Sequence, residues 1–496
     1  MATKLVRRRT GHSPRVAKSA NPLRHGIKFI TLQDNSRCAI SALDLFDVRD
    51  RRDPLGEAAK LAHQLISNNR TVLTSTQIEV ESEFDGRDVL LNVVSENTIG
   101  AAPLISPTTA KPQYGIIVTP RFSWSGLGAM LAEMGWLIAP QPLKLDPFPG
   151  SEANIPRWVL SSMILQRLKE LLRTLSLTFN VVTQIRSAPR GQVRWGEYAT
   201  RSIASGRFLS VPCSFPELNQ DPQLLGTIRF CLERIIESLQ SQVAHGGFVH
   251  RMIEDAQLLW TRVNHVSIFI PSPNSMALWK RGALKTKLYL EGLEALQWTL
   301  EERGLAGGGK LEGIPWRMEM DLFFEAWVET VFRKIARTTA GTLKSGRLKQ
   351  TVHPISWDLP YMGSQKSLIP DLLLDWGSTT MILDAKYKRH FGELQGSDWN
   401  AIQADWKEQH RNDLMQVLAY ANLTESRKII SCLVYPCDPD TWQYLNHTGR
   451  LFQKAEITVG ERALSLWMTA VPMKAAIDEV AAPIVEQLIP FLRAAE

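Results

Sequence analysis

Three residues of one short stretch have the types and spacing to do chemistry on a phosphodiester: Asp371, Asp384 and Lys386, between Ser367 and Lys388. The runs Leu368–Trp376 and Met381–Tyr387 are apolar and strand-like, and Gly377-Ser378 between them suits a two-residue type II′ hairpin turn. A turn centred there puts Asp371 directly opposite Asp384, with Cβ atoms about 5 Å apart. Side chains alternate along a strand, so Lys386 shares the face of Asp384. Asp375 has the same parity but lies beside the turn, opposite Thr380, and reads as a solvated turn residue. Leu372, Leu374, Leu383 and Ala385 form the other, apolar face. Two acids facing each other in an apolar sheet repel and are costly to desolvate. A hard divalent cation removes that conflict, polarises a phosphoryl oxygen and lowers the pKa of a bound water. The lysine can orient that water or offset charge in the transition state. The bland alternative is a surface hairpin whose charges are solvated.

Two helices are needed to complete such a site. Downstream, Arg411–Asn422 has no Gly or Pro and carries apolar residues at Leu414, Val417, Leu418 and Ala421. Gln416 and Tyr420, four apart, share a face there and can hold a metal-bound water or a phosphate oxygen. Upstream, Met318–Phe332 is a strongly apolar helix in which Glu325 lies among Leu322, Phe324, Trp327 and Val328. Glu325 is the expected third acid, and Glu329, one turn on, competes for the role.

Pro370-Asp371 followed by Asp384-Ala385-Lys386 resembles the motif of the PD-(D/E)XK nuclease superfamily, and the hairpin register agrees with it independently. That superfamily's order of helix, strand, hairpin and helix is also the order here. The implied fold is α/β, with α+β character in the N-terminal part and a C-terminal restriction-endonuclease-like domain whose mixed sheet is flanked by helices.

With 496 residues the chain is too long for one core, and two or three domains are expected. At 44% hydrophobic and 22% charged residues it is ordinary globular material. No run of 18 apolar residues suggests a membrane span, and the charged N-terminus lacks the apolar segment of a secretory signal. The five cysteines are scattered and lack zinc-site spacing, so they read as reduced thiols of a cytoplasmic protein. The net charge of +7 is misleading, because residues 1–28 hold eight positive residues and no acid, leaving 49 basic against 50 acidic residues elsewhere. The basicity is that of a tail, disordered by composition and able to add salt-sensitive phosphate attraction or to serve as a plain solvated leader.

Four segments follow: the tail over 1–28, a β-rich domain over 29–150 suited to partner docking, a mainly helical middle domain over 151–303, and the nuclease domain over 304–496. Within the second, residues 75–83 and 87–94 form a hairpin across Asp85-Gly86, and Tyr114–Trp124 is a strand leading to a helix near 125–134. Pro140, Pro142, Pro147 and Pro149 mark the boundary. Helices are expected over 155–177, around Ile228–Ile236 and over 284–301. After the Gln416 helix come a strand over 428–436, a strand pair over 455–459 and 464–468, and a closing helix over 473–495 interrupted at Pro483 and Pro490. Gly304–Lys310 has phosphate-loop spacing, but Leu311 stands where Ser or Thr would bind Mg²⁺, so a hinge is expected there. His353, His390 and His410 show no metal-ligand spacing.

Seven segments occur in an order that resembles the McrC family: Tyr114-Gly-Ile-Ile with Pro120-Arg-Phe, Arg190-Gly-Gln, Pro212-Cys-Ser-Phe with Asn219-Gln-Asp, Leu322-Phe-Phe-Glu-Ala-Trp-Val, Pro370-Asp-Leu-Leu-Leu, Leu383-Asp-Ala-Lys-Tyr-Lys and Asp413-Leu-Met-Gln-Val-Leu-Ala-Tyr-Ala. The resemblance spans residues 110–440. It implies the nuclease subunit of a modification-dependent restriction system in anti-phage defence, a Mg²⁺- or Mn²⁺-dependent endonuclease whose N-terminal half docks on a hexameric AAA+ motor. The motor reads and drives the DNA and this chain cuts it. Asp371, Asp384 and Lys386 match the family's catalytic residues, with Asp371, Asp384 and Glu325 as metal ligands and Gln416 and Tyr420 flanking. The basic tail and fifteen tryptophans are not family features, which leaves open whether another ATPase or helicase replaces the GTPase that the resemblance implies as the motor. Two other roles remain beside this one: a non-cleaving adaptor that activates the motor, and a stand-alone nuclease on branched or single-stranded DNA.

Overall fold

The computed structural model describes residues 28–145, 156–175, 178–281, 286–301, 304–305, 313–388, 404–459, 462–473 and 476–493. Residues 1–27 of the basic tail, the glycines and lysine of 306–310, and His390 lie outside them.

The N-terminal part opens with β1 (Lys28–Gln33) and β2 (Arg37–Ser41). The sequence predicts mostly strands here, yet a one-turn helix, Ala42–Leu45, and two longer ones, Pro54–Asn68 and Arg70–Ser75, follow. The signal was Asp53-Pro54: the aspartate side chain accepts from Gly56 N and proline occupies the first turn, both standard ways to start a helix. Ala58, Ala62 and Leu65 then bury one face. The expected hairpin forms from β3 (Ile78–Phe84) and β4 (Val89–Ser95), which with β2 makes a sheet in the order β2-β4-β3. Next come β5 (Thr98–Ile105), β6 (Pro112–Thr119), the helix Trp124–Glu133 and β7 (Gln141–Pro142).

The chain divides into two units, one of residues 157–303 and one of everything else. The middle unit holds helices Arg157–Thr174, Pro222–Gln240, Gly247–Thr261, Pro273–Lys280 and Lys287–Leu300. Beside them is a three-stranded sheet of β8 (Thr178–Arg186), β9 (Gln192–Val193) and β10 (Val211–Asn219) in the order β8-β10-β9. Its core includes Trp158, Leu168, Ile228, Leu232 and Leu293.

The stretches read separately as 29–150 and 304–496 share the other unit. After the short pair β11 (Gly304–Leu305) and β12 (Gly313–Ile314), β13 (Trp316–Glu319) enters the N-terminal sheet between β5 and β7, giving the order β1-β6-β5-β13-β7. Gly100 permits the seam, since a Cβ at that position would lie 2.3 Å from the Trp316 carbonyl oxygen.

The C-terminal part is a mixed sheet between helices. It contains β14 (Thr342–Ser345), the small pair β15 (His353–Pro354) and β16 (Ser367–Leu368), then β17 (Leu372–Asp375), β18 (Thr379–Ala385), β19 (Lys428–Cys437), β20 (Phe452–Val459) and β21 (Arg462–Pro472). Six of these run in the order β14-β17-β18-β19-β21-β20, with β18, β19 and β21 parallel and the remaining neighbours antiparallel. The helix Met320–Thr338 lies on the face of Ser345, Leu372 and Leu383, because Ser345 Oγ donates to its Glu329. The helix Ala404–Tyr420 covers the opposite face, where Ser431, paired with Ile382, donates to the Val417 carbonyl. The closing helix Ile477–Arg493 runs unbroken through Pro483 and Pro490. The interruption expected from the sequence at these prolines does not occur.

Candidate active site

The hairpin has the register read from the sequence: Asp375 pairs with Thr380, Leu374 with Met381, Leu373 with Ile382 and Leu372 with Leu383. Gly377 has φ +88° and Ser378 is not among the positive-φ residues, which is the type II′ pattern; the type I′ alternative needs both positive. Asp375 stays at the turn, its Oδ1 accepting from Gly377 N at 2.8 Å.

Continuing the ladder would pair Ala385 N–H with the Pro370 carbonyl. That carbonyl instead accepts from Thr351 Oγ1 at 2.6 Å, and β17 begins only at Leu372. Asp371, just outside the strand, supplies the missing acceptor with its side chain: Oδ2 accepts from Ala385 N at 2.8 Å. The carboxylate is thereby fixed beside the residue that follows Asp384.

Asp384 itself is fully buried in the sheet. Lys386 Nζ lies 2.7 Å from its Oδ2 as an ion pair, yet neither carboxylate oxygen makes a hydrogen bond of good geometry. Lys386 Nζ does donate to Gln416 Oε1 at 2.9 Å, and Gln416 Nε2 donates to Tyr420 OH at 2.9 Å. One line therefore runs Asp384, Lys386, Gln416, Tyr420, and it fixes the orientation of the Gln416 amide. The helix face expected to carry Gln416 and Tyr420 is the one that meets the hairpin.

The two candidate helix acids have different surroundings. Glu329 is buried and occupied: Ser345 Oγ donates to it at 2.9 Å, Arg347 Nε at 3.0 Å, and Arg333 Nη2 bonds its other oxygen. Glu325, half-buried one turn earlier, interacts with the charges of Asp384 and Glu329.

Electrostatically this is a crowd of acids. Burial, then the charges of Asp384 and Glu325, push the Asp371 carboxyl up to about 8, against the Ala385 N–H and Lys386. Burial also raises Asp384, with Lys386 opposing, and raises Glu325, with Arg347 opposing. For Lys386 burial favours the neutral amine, but Asp384, then Asp371 and Asp413, outweigh it and hold the ammonium. Among the described residues no three Asp, Glu, His or Cys side chains are gathered tightly enough to enclose an ion. Buried Asp384, neither of whose oxygens makes a well-formed hydrogen bond, and the Asp371 carboxylate beside it fit a cation of the magnesium type. Such an ion is commonly held by one or two carboxylates, with water and phosphate oxygens completing its shell.

The sequence reading missed Lys388 and Asp413. Lys388 Nζ bonds both Asp413 oxygens at 2.7 and 2.9 Å, and Tyr435 OH donates to Asp413 at 3.3 Å. The signal was spacing: Lys388 repeats the parity of Lys386, and Asp413 lies three residues before Gln416 on the same helix. His410 Nδ1 lies 3.3 Å from Tyr435 OH, in this second cluster and not with the acids, while His353 sits in β15. All five cysteines are buried and none forms a disulfide. No described helix is long and apolar enough to cross a membrane.

The sequence matches the model of the family described as McrBC 5-methylcytosine restriction system component over residues 116–436, roughly two thirds of the chain. No curated protein matches it. Among solved structures, the chain is similar to one in a refined half-complex from the tetradecameric assembly of Thermococcus gammatolerans McrB AAA+ hexamers with bound McrC. The identity is 13% and the TM-score 0.39, covering 93% of this chain and 100% of that one. It is also similar to a chain in the cryo-EM structure of the Thermococcus gammatolerans McrBC complex, at 12% identity and a TM-score of 0.25, covering 62% of this chain and 88% of that one.

Proposed function

The chain belongs to the family of McrBC 5-methylcytosine restriction system components, and from that premise we propose that it is the subunit that cuts DNA, using a magnesium- or manganese-type ion held by Asp371 and Asp384. The observation that carries the proposal is Asp384: a fully buried carboxylate with no well-formed hydrogen bond, beside a second acid and an ammonium, is an arrangement that a cation and a phosphate would complete. Its helix-flanked mixed sheet and the hairpin register support placing the C-terminal part in the PD-(D/E)XK superfamily.

Glu325 is the acid free to join the pair, since Glu329 is taken by Ser345 and two arginines. A hard divalent cation there supplies charge for a phosphoryl oxygen and acidity for a bound water. Lys386 keeps its proton and, suspended between Asp384 and Gln416, presents it toward the scissile phosphate. Gln416 holds that ammonium by its carbonyl while Tyr420 holds the amide in place, so the lysine is positioned before substrate arrives.

A AAA+ NTPase of the McrB type is the motor partner in this scheme, and DNA carrying 5-methylcytosine the substrate, in keeping with a multi-component system of that description. The test is cleavage of methylated plasmid by the full chain with an McrB-type motor, nucleotide and Mg²⁺. Wild type is expected to cut and Asp384→Ala to be inert while still folded. Equal cleavage by both would refute the assignment, and motor stimulation without cleavage in the wild type would favour the adaptor role.

A further inference from the structure

The Pro120-Arg121-Phe122 segment at the end of β6 has no place in the site described above, yet its arginine is one of the most deeply buried charges of the molecule. The Arg121 side chain is 1% exposed and that of Asp34 0%. Arg121 Nε stands 3.6 Å from Asp34 Oδ2, its backbone N–H donates to Asp34 Oδ1 at 2.5 Å, and its guanidinium carbon lies 4.2 Å from the centre of the Tyr387 ring. Tyr387 OH donates to Asp34 Oδ2 at 2.8 Å. None of the three guanidinium nitrogens makes a hydrogen bond of good geometry. For stability alone this is a poor solution, because apolar side chains of similar volume avoid the desolvation cost of a buried pair.

What the pair gives that an apolar plug does not is direction, and Tyr387 is where the direction matters. It lies between Lys386 and Lys388, whose side chains reach Gln416 and Asp413 on the covering helix. Its own ring turns elsewhere, to Arg121, to Phe122 at 6.2 Å and to Phe324 at 6.0 Å. Phe324 immediately precedes Glu325. One buried ring, itself the immediate neighbour of Lys386, is thus tied to the ends of β1 and β6 and packs against Phe324, the immediate neighbour of Glu325.

We propose that Arg121 and Asp34 are positioning residues for DNA cleavage: clamping Tyr387, they fix the exit of β18 and the start of the Glu325 helix so that Lys386 and Glu325 address the Asp371–Asp384 pair. The clamp rests on the nuclease reading of the site. It also makes the N-terminal sheet part of the cutting apparatus.

The experiment uses the full chain with an McrB-type motor, nucleotide, Mg²⁺ and 5-methylcytosine plasmid, with wild type and Asp384→Ala in parallel. Arg121→Met alone takes the guanidinium away from buried Asp34, so it is compared with Asp34→Asn/Arg121→Met, which removes both charges of the pair together. The double variant is expected to melt near the wild-type temperature and to bind DNA as wild type does. Its single-turnover cleavage at saturating DNA should nevertheless be on the order of 100-fold slower, the scale set by a misplaced catalytic group. Tyr387→Phe, which keeps the ring and loses only the Asp34 bond, should slow cleavage by about tenfold on the same reasoning. A folded double variant cutting at the wild-type rate overturns the clamp and leaves the nuclease standing. If the double variant does not fold, Tyr387→Phe decides alone, and a wild-type rate overturns it. Absent cleavage by wild type, or unchanged cleavage by Asp384→Ala, removes the nuclease reading and the clamp with it.

Discussion

Asp371, just before its strand, accepts the backbone N–H of Ala385 with its carboxylate at 2.8 Å, the donor that a regular ladder would have given to Pro370. The hairpin gives up one rung, and an acid that would otherwise repel Asp384 freely is anchored next to it. Because the Pro370 carbonyl is satisfied by Thr351 and the Ala385 amide by Asp371, the departure leaves neither backbone group unpaired.

The raised Asp371 carboxyl makes stability depend on pH and on metal. An unfolded aspartate titrates near 3.9, while the folded group is pushed up to about 8. The native state therefore holds the proton more tightly. The associated stability is fully present below about pH 4 and is lost as pH rises through about 8. Urea midpoints of the metal-free protein should fall across that window. Added Mg²⁺ should restore them most at its alkaline end, where no proton competes. A Mg²⁺ effect that is flat with pH would count against the paired-acid site.

Asp384→Asn should abolish cleavage, by roughly a thousandfold or more if the ion contributes several kcal/mol in the transition state. The same change removes a buried, poorly hydrogen-bonded charge, so metal-free thermal stability should hold or rise. A melting scan beside a single-turnover assay separates the two effects, and loss of activity accompanied by unfolding would contradict the expectation.

Glu325→Gln and Glu329→Gln should part company. The first should slow cleavage and leave the melting temperature nearly unchanged. The second strips a charge from the Arg347 and Arg333 contacts and should cost about 1–3 kcal/mol of stability, with its effect on cleavage following from that loss. The reverse pattern would assign the metal-facing acid to Glu329.

Gln416→Ala should lower the cleavage rate at saturating DNA by releasing Lys386, and Tyr420→Phe should do so less, because it loosens only the amide. Losses of about 10- to 100-fold and below tenfold, respectively, match groups that position a catalytic residue. The rate constants should carry the loss and DNA affinity should not.

Where one rule dominated, the sequence was readable. The two-residue turn Gly377-Ser378 sets the register of the apolar runs on either side of it, and that register is observed. The Gln416 face followed from helical spacing alone. Asp53-Pro54 was overlooked because the strands around it set the expectation for the whole segment, although a capped helix start was written there. Glu325 and Glu329 could not be separated by pattern, since both lie on the same apolar helix. Their difference comes from Ser345 and Arg347 on the following strand and turn, contacts that only tertiary structure creates. The Asp34–Arg121–Tyr387 cluster joins residues up to 353 positions apart, and no local pattern announces it.

A crystal of the full chain soaked in Mn²⁺, with anomalous scattering recorded, addresses the central claim most directly. The expected result is a single strong peak about 2.1 Å from oxygens of both Asp371 and Asp384, with the Lys386 ammonium moved off Asp384 toward Gln416. Manganese bound elsewhere, or none bound while Lys386 remains on Asp384, would contradict it.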